Sequence, residues 1–161
     1  MLTVITVINK SLDKKYIQQG LDLALKAVHE RGLNNIDFDK TDFIDKCKML
    51  YVSPAAVKWG LLKDGKMVGF VIGTIQQSIW FKDPYIKLLA CHVDVSYRCI
   101  EAYQSLLNVI YNYAGEKKII KIEVDSEFML LGASQNLSFL LKNGFQETTQ
   151  VWEKQIDHQR I

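Results

Sequence analysis

Prolines are scarce, cysteines are few and odd in number, and no long apolar run interrupts the chain. Only Pro54 and Pro84 occur among 161 residues, and no Pro-, Gly- or Ser-rich stretch marks a linker. Residues 1–161 therefore read as one domain rather than two. The three cysteines, Cys47, Cys91 and Cys99, lack the short spacing of a metal site and cannot all pair with one another. This argues against a zinc site or a disulfide framework and for a reducing, cytoplasmic setting. The opening "MLTVITVI" is apolar but short, has no basic n-region and runs into Asn9 and Lys10. It is expected to be neither a signal peptide nor a membrane span. Repeats and low-complexity runs are missing as well. So is an excess of charge: a net +2 gives no argument for nucleic acid or a membrane surface as partner.

What is present is an ordinary globular composition, 48% hydrophobic and 24% charged. A chain of this length buries roughly two thirds of its unfolded surface, so its core needs no metal or disulfide staple. Leu2 to Ile8 alternates Thr with β-branched residues and reads as a strand. Residues 13–31 read as a helix with Ile17, Leu21, Leu25 and Val28 on one face and a stop at Gly32. Thr41 to Leu50 is a shorter amphipathic helix with Thr41 or Asp42 as its expected cap. The Lys and Asp alternation of "DFDKTDFIDKCK" reads as a solvated helix face.

The pattern then turns to strands. Two apolar runs flank Lys63-Asp64-Gly65-Lys66, and Asp-Gly is the strongest short hairpin signal. "QSIWFKDPY" reads as a loop or hairpin tip, Ile86 to Val95 as a strand, and residues 98–114 as a helix. Lys118 to Val124 reads as a strand, Gln135 to Lys142 as a helix stopped by Asn143-Gly144, and Phe145 to Gln155 as the final strand. The hairpin demands antiparallel pairing, and strands alternating with helices demand a parallel one. The expected fold class is mixed α/β, with a central twisted sheet of about six strands flanked by about four helices.

Three local patterns carry a resemblance. They are "GLLKDGKMVGFVIG", "HVDVSYRCIEAYQSLLNVIYNYA" and "NLSFLLKNGFQE", in that order along residues 57–154, with a weaker echo in residues 2–51. The chain resembles the GNAT superfamily of acetyl-CoA-dependent N-acetyltransferases. The resemblance implies a strand pair that splays apart to admit the pantetheine arm of acetyl-CoA, bound by the backbone of Val93 and Val95. It also implies a diphosphate seat at the start of the next helix, where free N–H groups and the helix dipole attract anions.

The family pattern in that turn is Gln or Arg, two residues, Gly, one residue, then Gly or Ala. The matching positions are Arg98, Glu101 and Tyr103, with Cys99 and Ala102 between them, so the Arg is kept and the glycines are not. A carboxylate ~5 Å from a diphosphate charge is repelled by 3 kcal/mol or so at an effective dielectric near 20. Glu101 also suits a helix start by itself, a contribution of ~0.3–1 kcal/mol.

The resemblance further implies a general base on the fourth strand or nearby. His92 is the first candidate because it titrates in a useful range, with Glu123 and Asp125 as runners-up. The position of the family's Tyr acid holds Leu140, beside Phe139. Cys91 and Cys99 read as small apolar fillers, with a reactive thiol at Cys99 as the alternative. Trp80, Phe81 and Tyr85 crowd a connection next to Pro84, where aromatics either fold over the core or face a substrate, a protein partner or a second copy.

Two functions stay open at this point. One is an N-acetyltransferase acting on a small-molecule or protein amine, with acetyl-CoA, another acyl-CoA or an acyl-carrier protein as donor. The other is a protein of this fold without catalysis or cofactor. Its altered turn resembles that of divergent bacteriophage proteins, some of them virion components, which would place it in a host cytoplasm or a virion.

Overall fold

A two-residue hairpin organises the sheet. In the computed structural model, Ala56–Lys63 (β2) and Lys66–Gln77 (β3) are joined by Asp64 and Gly65 at φ 51° and 74°. Positive φ at both central residues matches the right-handed twist of the strands, and glycine adopts it without a Cβ penalty. The structure describes residues 1–6, 13–32, 37–80, 82–124 and 133–147.

Leu2–Thr6 (β1) pairs antiparallel with β2, and β3 pairs antiparallel with Pro84–Val93 (β4). Ile122–Glu123 (β5) joins β4 in parallel, which gives a five-stranded mixed sheet in the order β1-β2-β3-β4-β5. Of the final strand expected over 145–155, Phe145 to Glu147 are not strand and the rest lies outside the described residues. Strand β4 begins at Pro84, a tolerated first position because no ladder N–H is needed there. It ends at Val93 rather than Val95, because the Asp94 carboxylate accepts the Ser96 N–H at 3.1 Å and turns Val95–Tyr97 into one turn of 3₁₀ helix. The helix expected from residue 98 consequently starts at Ile100, two residues later.

Asp13–Glu30 (α1) and Lys40–Val52 (α2) cover one face of the sheet; Ile100–Glu116 (α3) and Ala133–Lys142 (α4) cover the other. On the α3 side, Trp59, Leu61, Ile86, Leu88 and Val93 meet Tyr103, Leu106, Ile110 and Phe139 in the main core. Burying a large apolar side chain there contributes about 1.5–3 kcal/mol each. The α1 side is thinner. Tyr16 and Leu23 pack on Leu62 and Met67, whereas the expected face of Ile17, Leu21 and Leu25 is only half-buried. Helix α2 buries no residue at all. Its cap is Asp39, not Thr41 or Asp42: the Asp39 carboxylate accepts the N–H groups of Thr41 and Asp42 at 2.8 and 3.0 Å. Among the described residues, no helix is long and apolar enough to cross a membrane.

Candidate functional site

Among the described residues, strand β4 has one edge paired along its length and one edge largely open. It pairs with β5 only at Ile86↔Ile122 and Lys87↔Glu123. Beyond Lys87, no strand among the described residues runs along Leu88–Val93 on that side. The Asp94 N–H donates to the Val68 carbonyl at 2.8 Å. In an antiparallel ladder bonded and non-bonded pairs alternate, so Cys91 and Val93 turn their N–H and C=O groups towards the open edge. A bulge precedes this stretch: Ile72 faces Ala90 and Gly73 faces Leu88, leaving Leu89 as the extra residue.

The open edge leads directly into the start of α3. Cys99 sits at the N-cap with an extended backbone, and its side chain caps nothing. The first N–H groups of a helix have no partner within it, so this end is left to be satisfied from outside. Glu101 stands exposed in the first turn; its own carbonyl accepts from Ser105 Oγ at 2.8 Å. Ala102 and Tyr103 are buried, and the Tyr103 ring belongs to the main core. Val95 is exposed in the preceding turn. Arg98 folds back over the open edge: its Nε and Nη2 donate to the Val93 carbonyl at 3.1 and 2.9 Å. Its Nη2 also reaches Glu30 Oε2 at 2.6 Å.

Glu30, at the end of α1, carries no motif, and the sequence gives no signal for it beyond a charged residue at a helix end. In the fold it lies between Arg98 and His92, with Oε1 3.8 Å from His92 Nε2. His92 is almost fully buried and neither ring nitrogen has a hydrogen-bond partner. Burial pushes its imidazole down to about 4, and the charge of Glu30 only partly opposes this. The ring is therefore neutral at physiological pH, with one nitrogen able to accept a proton. A second tie, Lys26 to Asp94 at 2.9 Å, holds α1 to the same turn.

The other expected residues lie elsewhere. Glu123 faces Lys87 and is paired with Lys121 at 2.6 Å. Lys87 and His92 lie opposite Thr74 and Phe70, four ladder steps apart or about 13 Å, so His92 and Glu123 are not brought together. Asp125 and Phe81 lie outside the described residues. Trp80 is exposed, whereas the Tyr85 hydroxyl donates to Gln76 Oε1 at 2.9 Å on the sheet. Cys91 is buried and its thiol is pushed up by burial, as suits an inert filler. Leu140 and Phe139 are core residues. No group of three metal-ligating side chains occurs among the described residues.

On the α1 side of β4, a cavity of about 350 Å³ lies between α1, α2 and strands β2 to β4. It exists because α2 stands off the sheet and α1 presents Gly20, Ala24 and Ala27 there. His92 forms part of its wall, next to Phe70 at a ring separation of 6.2 Å.

No family model and no curated protein matches the chain by sequence. Solved structures do match it along nearly its whole length. A protein described as a possible acetyltransferase from Clostridium difficile 630 is 15% identical, covers 98% of this chain and 99% of its own, and superposes with a TM-score of 0.71. A predicted acetyltransferase from Clostridium acetobutylicum, solved with acetyl-CoA, is 14% identical over 96% of both chains, with a TM-score of 0.72. An aminoglycoside acetyltransferase from an uncultured soil metagenomic sample, in complex with sisomicin, is 14% identical over 97% of both chains, with a TM-score of 0.67. The chain has the GNAT fold.

Proposed function

We propose that this protein is an acyl-CoA-dependent N-acetyltransferase, with acetyl-CoA as donor and a small amine as acceptor. The observation that carries the reading is the open edge of β4 running into an uncapped α3. Cys91 offers its backbone N–H and C=O there, and Val93 its N–H, for the amides of a pantetheine arm. The N–H groups of Ile100, Glu101 and Ala102 offer an anion seat for a diphosphate. Bound acetyl-CoA would supply a thioester: the amine forms a C–N bond at its acyl carbon as the C–S bond breaks, and CoA leaves as a thiolate that takes up the proton removed from the amine. His92 stands on the acceptor side of the same strand and takes the amine proton at a ring nitrogen. Glu30 Oε1, 3.8 Å from Nε2, stabilises the imidazolium so formed. Acetyltransferases among the structural neighbours, some solved with acetyl-CoA or with an aminoglycoside, support this choice.

One observation favours a second reading, a binding or structural protein of this fold, such as a virion or host-interaction component. Arg98, the residue kept from the diphosphate turn, is held by Glu30 and the Val93 carbonyl instead of pointing at the helix start. Calorimetric titration with acetyl-CoA separates the two. Micromolar binding is expected; no heat up to millimolar donor would leave the non-catalytic reading in its place.

A further inference from the structure

The geometry points to a particular class of acceptor: a hydrophobic amino acid, with an apolar body, one primary amine and one carboxylate, bound in the cavity under α1 and α2. The inference rests on the transferase reading and names the substrate of that site. Three features of the cavity carry it.

The first is size and character. About 350 Å³ is at the lower end of small-molecule pockets, room for one body of amino-acid size. Its surface is contributed mainly by apolar side chains, among them Leu21, Phe43 and Phe70. The second is the sign of charge. Among the described residues of the lining the charged ones are Arg31, Lys48 and Lys58, with no Asp or Glu. Lys58 is held by the Tyr51 carbonyl and lies over the Tyr51 ring, so its positive charge is fixed in place. The charge of Arg31 is felt by both Cys91 and His92. Among the described residues of the lining a polycation finds no counter-charge, whereas a single carboxylate finds Lys48. The nearest carboxylate, Glu30, is engaged by Arg98.

The third feature is His92, almost fully buried in the wall with neither ring nitrogen hydrogen-bonded. A buried polar atom of this kind asks for a donor from a ligand, and an amine supplies one. Burial and the neighbouring cations favour the uncharged form of that amine. An acceptor that arrives unprotonated needs only a weak base, and the buried His92 is one.

The test is calorimetry on the full chain without acetyl-CoA, using L-leucine, L-phenylalanine, L-tryptophan, phenethylamine and kanamycin. At least one of the three amino acids should bind. Phenethylamine, lacking the carboxylate, should bind about tenfold more weakly than phenylalanine, in line with the loss of one charge-assisted contact. Kanamycin should not bind. Gly20→Leu should fill the cavity and weaken amino-acid binding at least about tenfold, while the helix gains a better former and melting stays cooperative. Failure of all three amino acids, binding of kanamycin, equal affinity for phenethylamine or indifference to Gly20→Leu would overturn the inference. Acetyl-CoA binding with no amino-acid binding removes only the acceptor class. Amino-acid binding with no acetyl-CoA binding removes the transferase reading and leaves the pocket.

Discussion

The molecule starts two of its helices in opposite ways. Helix α2 begins with Asp39, whose carboxylate closes two of the free N–H groups, and it faces solvent. Helix α3 begins with Cys99, which closes none, and it follows the open edge of β4. The same physical problem is solved locally in one place and left to something else in the other. A capped start is complete by itself. An uncapped start, beside a strand edge that no described strand pairs, keeps its donors for a ligand, while Arg98 and Glu30 tie the end of β4 to α1.

The sharpest way to separate the two regions is acid, because a buried titrating group adjoins only the α3 start. The folded pKa of His92 lies near 4, below its ordinary 6.5, so the unfolded chain takes up a proton first. The neutral ring's contribution is fully present above pH 6.5 and is lost as pH falls towards 4. It amounts to at most about 3 kcal/mol. Urea melts at a series of pH values should show this loss, and His92→Leu should flatten it. An equal acid slope in the variant would mean that the loss comes from carboxylates elsewhere. Lowering the pH should speed hydrogen exchange by a larger factor at the β4 and α3 amides than at those of α2.

Arg98 comes next. Its guanidinium satisfies the Val93 carbonyl twice and pairs with Glu30, with only 16% of the side chain exposed. Arg98→Met should cost about 2 kcal/mol, because it strips a partly buried carbonyl and a carboxylate of their partner. If the latch also competes with pantetheine for that carbonyl, the variant should bind acetyl-CoA more tightly despite its lower stability. Unchanged melting would show that Arg98 does not hold the end of β4 to α1.

Much of this contrast was legible in the residues. Asp64-Gly65 dictates its turn through φ alone, and the apolar spacing of α3 places Leu106 and Ile110 on the core. Local chemistry of that kind can be read without knowing the partner. The α1 face was harder, because periodicity weighs Ile17 and Leu21 as core and ignores Gly20 and Ala24. Those small residues leave the space that makes the larger ones cavity lining. Glu30 was out of reach for a different reason. Its role comes from a contact with Arg98, 68 positions away, and no local pattern encodes that contact. The α2 cap was missed by two or three residues, since Asp39, Thr41 and Asp42 are all suitable types and only the backbone decides between them.

Exchanging the two caps tests the comparison directly. Asp39→Ala should destabilise by about 1 kcal/mol, whereas Cys99→Ala should be nearly neutral, since there is no cap to lose. Cys99→Asp should gain up to about 1 kcal/mol in thermal melts by supplying the missing acceptor. The same carboxylate would occupy the anion seat, so acetyl-CoA affinity should fall about tenfold. A Cys99→Asp variant that is stabilised yet binds acetyl-CoA as before would place the diphosphate somewhere other than the α3 start.

The smallest effect concerns Glu101, where charge and backbone must be told apart. Its carboxylate is exposed in the first turn of α3, where solvent screening keeps its repulsion of a bound diphosphate modest. Glu101→Gln removes the charge and keeps a good helix former, so stability should drop by only a few tenths of a kcal/mol. Acetyl-CoA affinity should rise about threefold. Glu101→Gly removes the charge and also costs the helix about 1 kcal/mol, but it lets a phosphate approach the chain closely. If glycine strengthens binding beyond glutamine, the turn is limited by backbone approach. If the two are equal, charge alone sets the affinity. If neither variant differs from the parent, Glu101 lies outside the field of the diphosphate and the altered turn does not weaken the donor site.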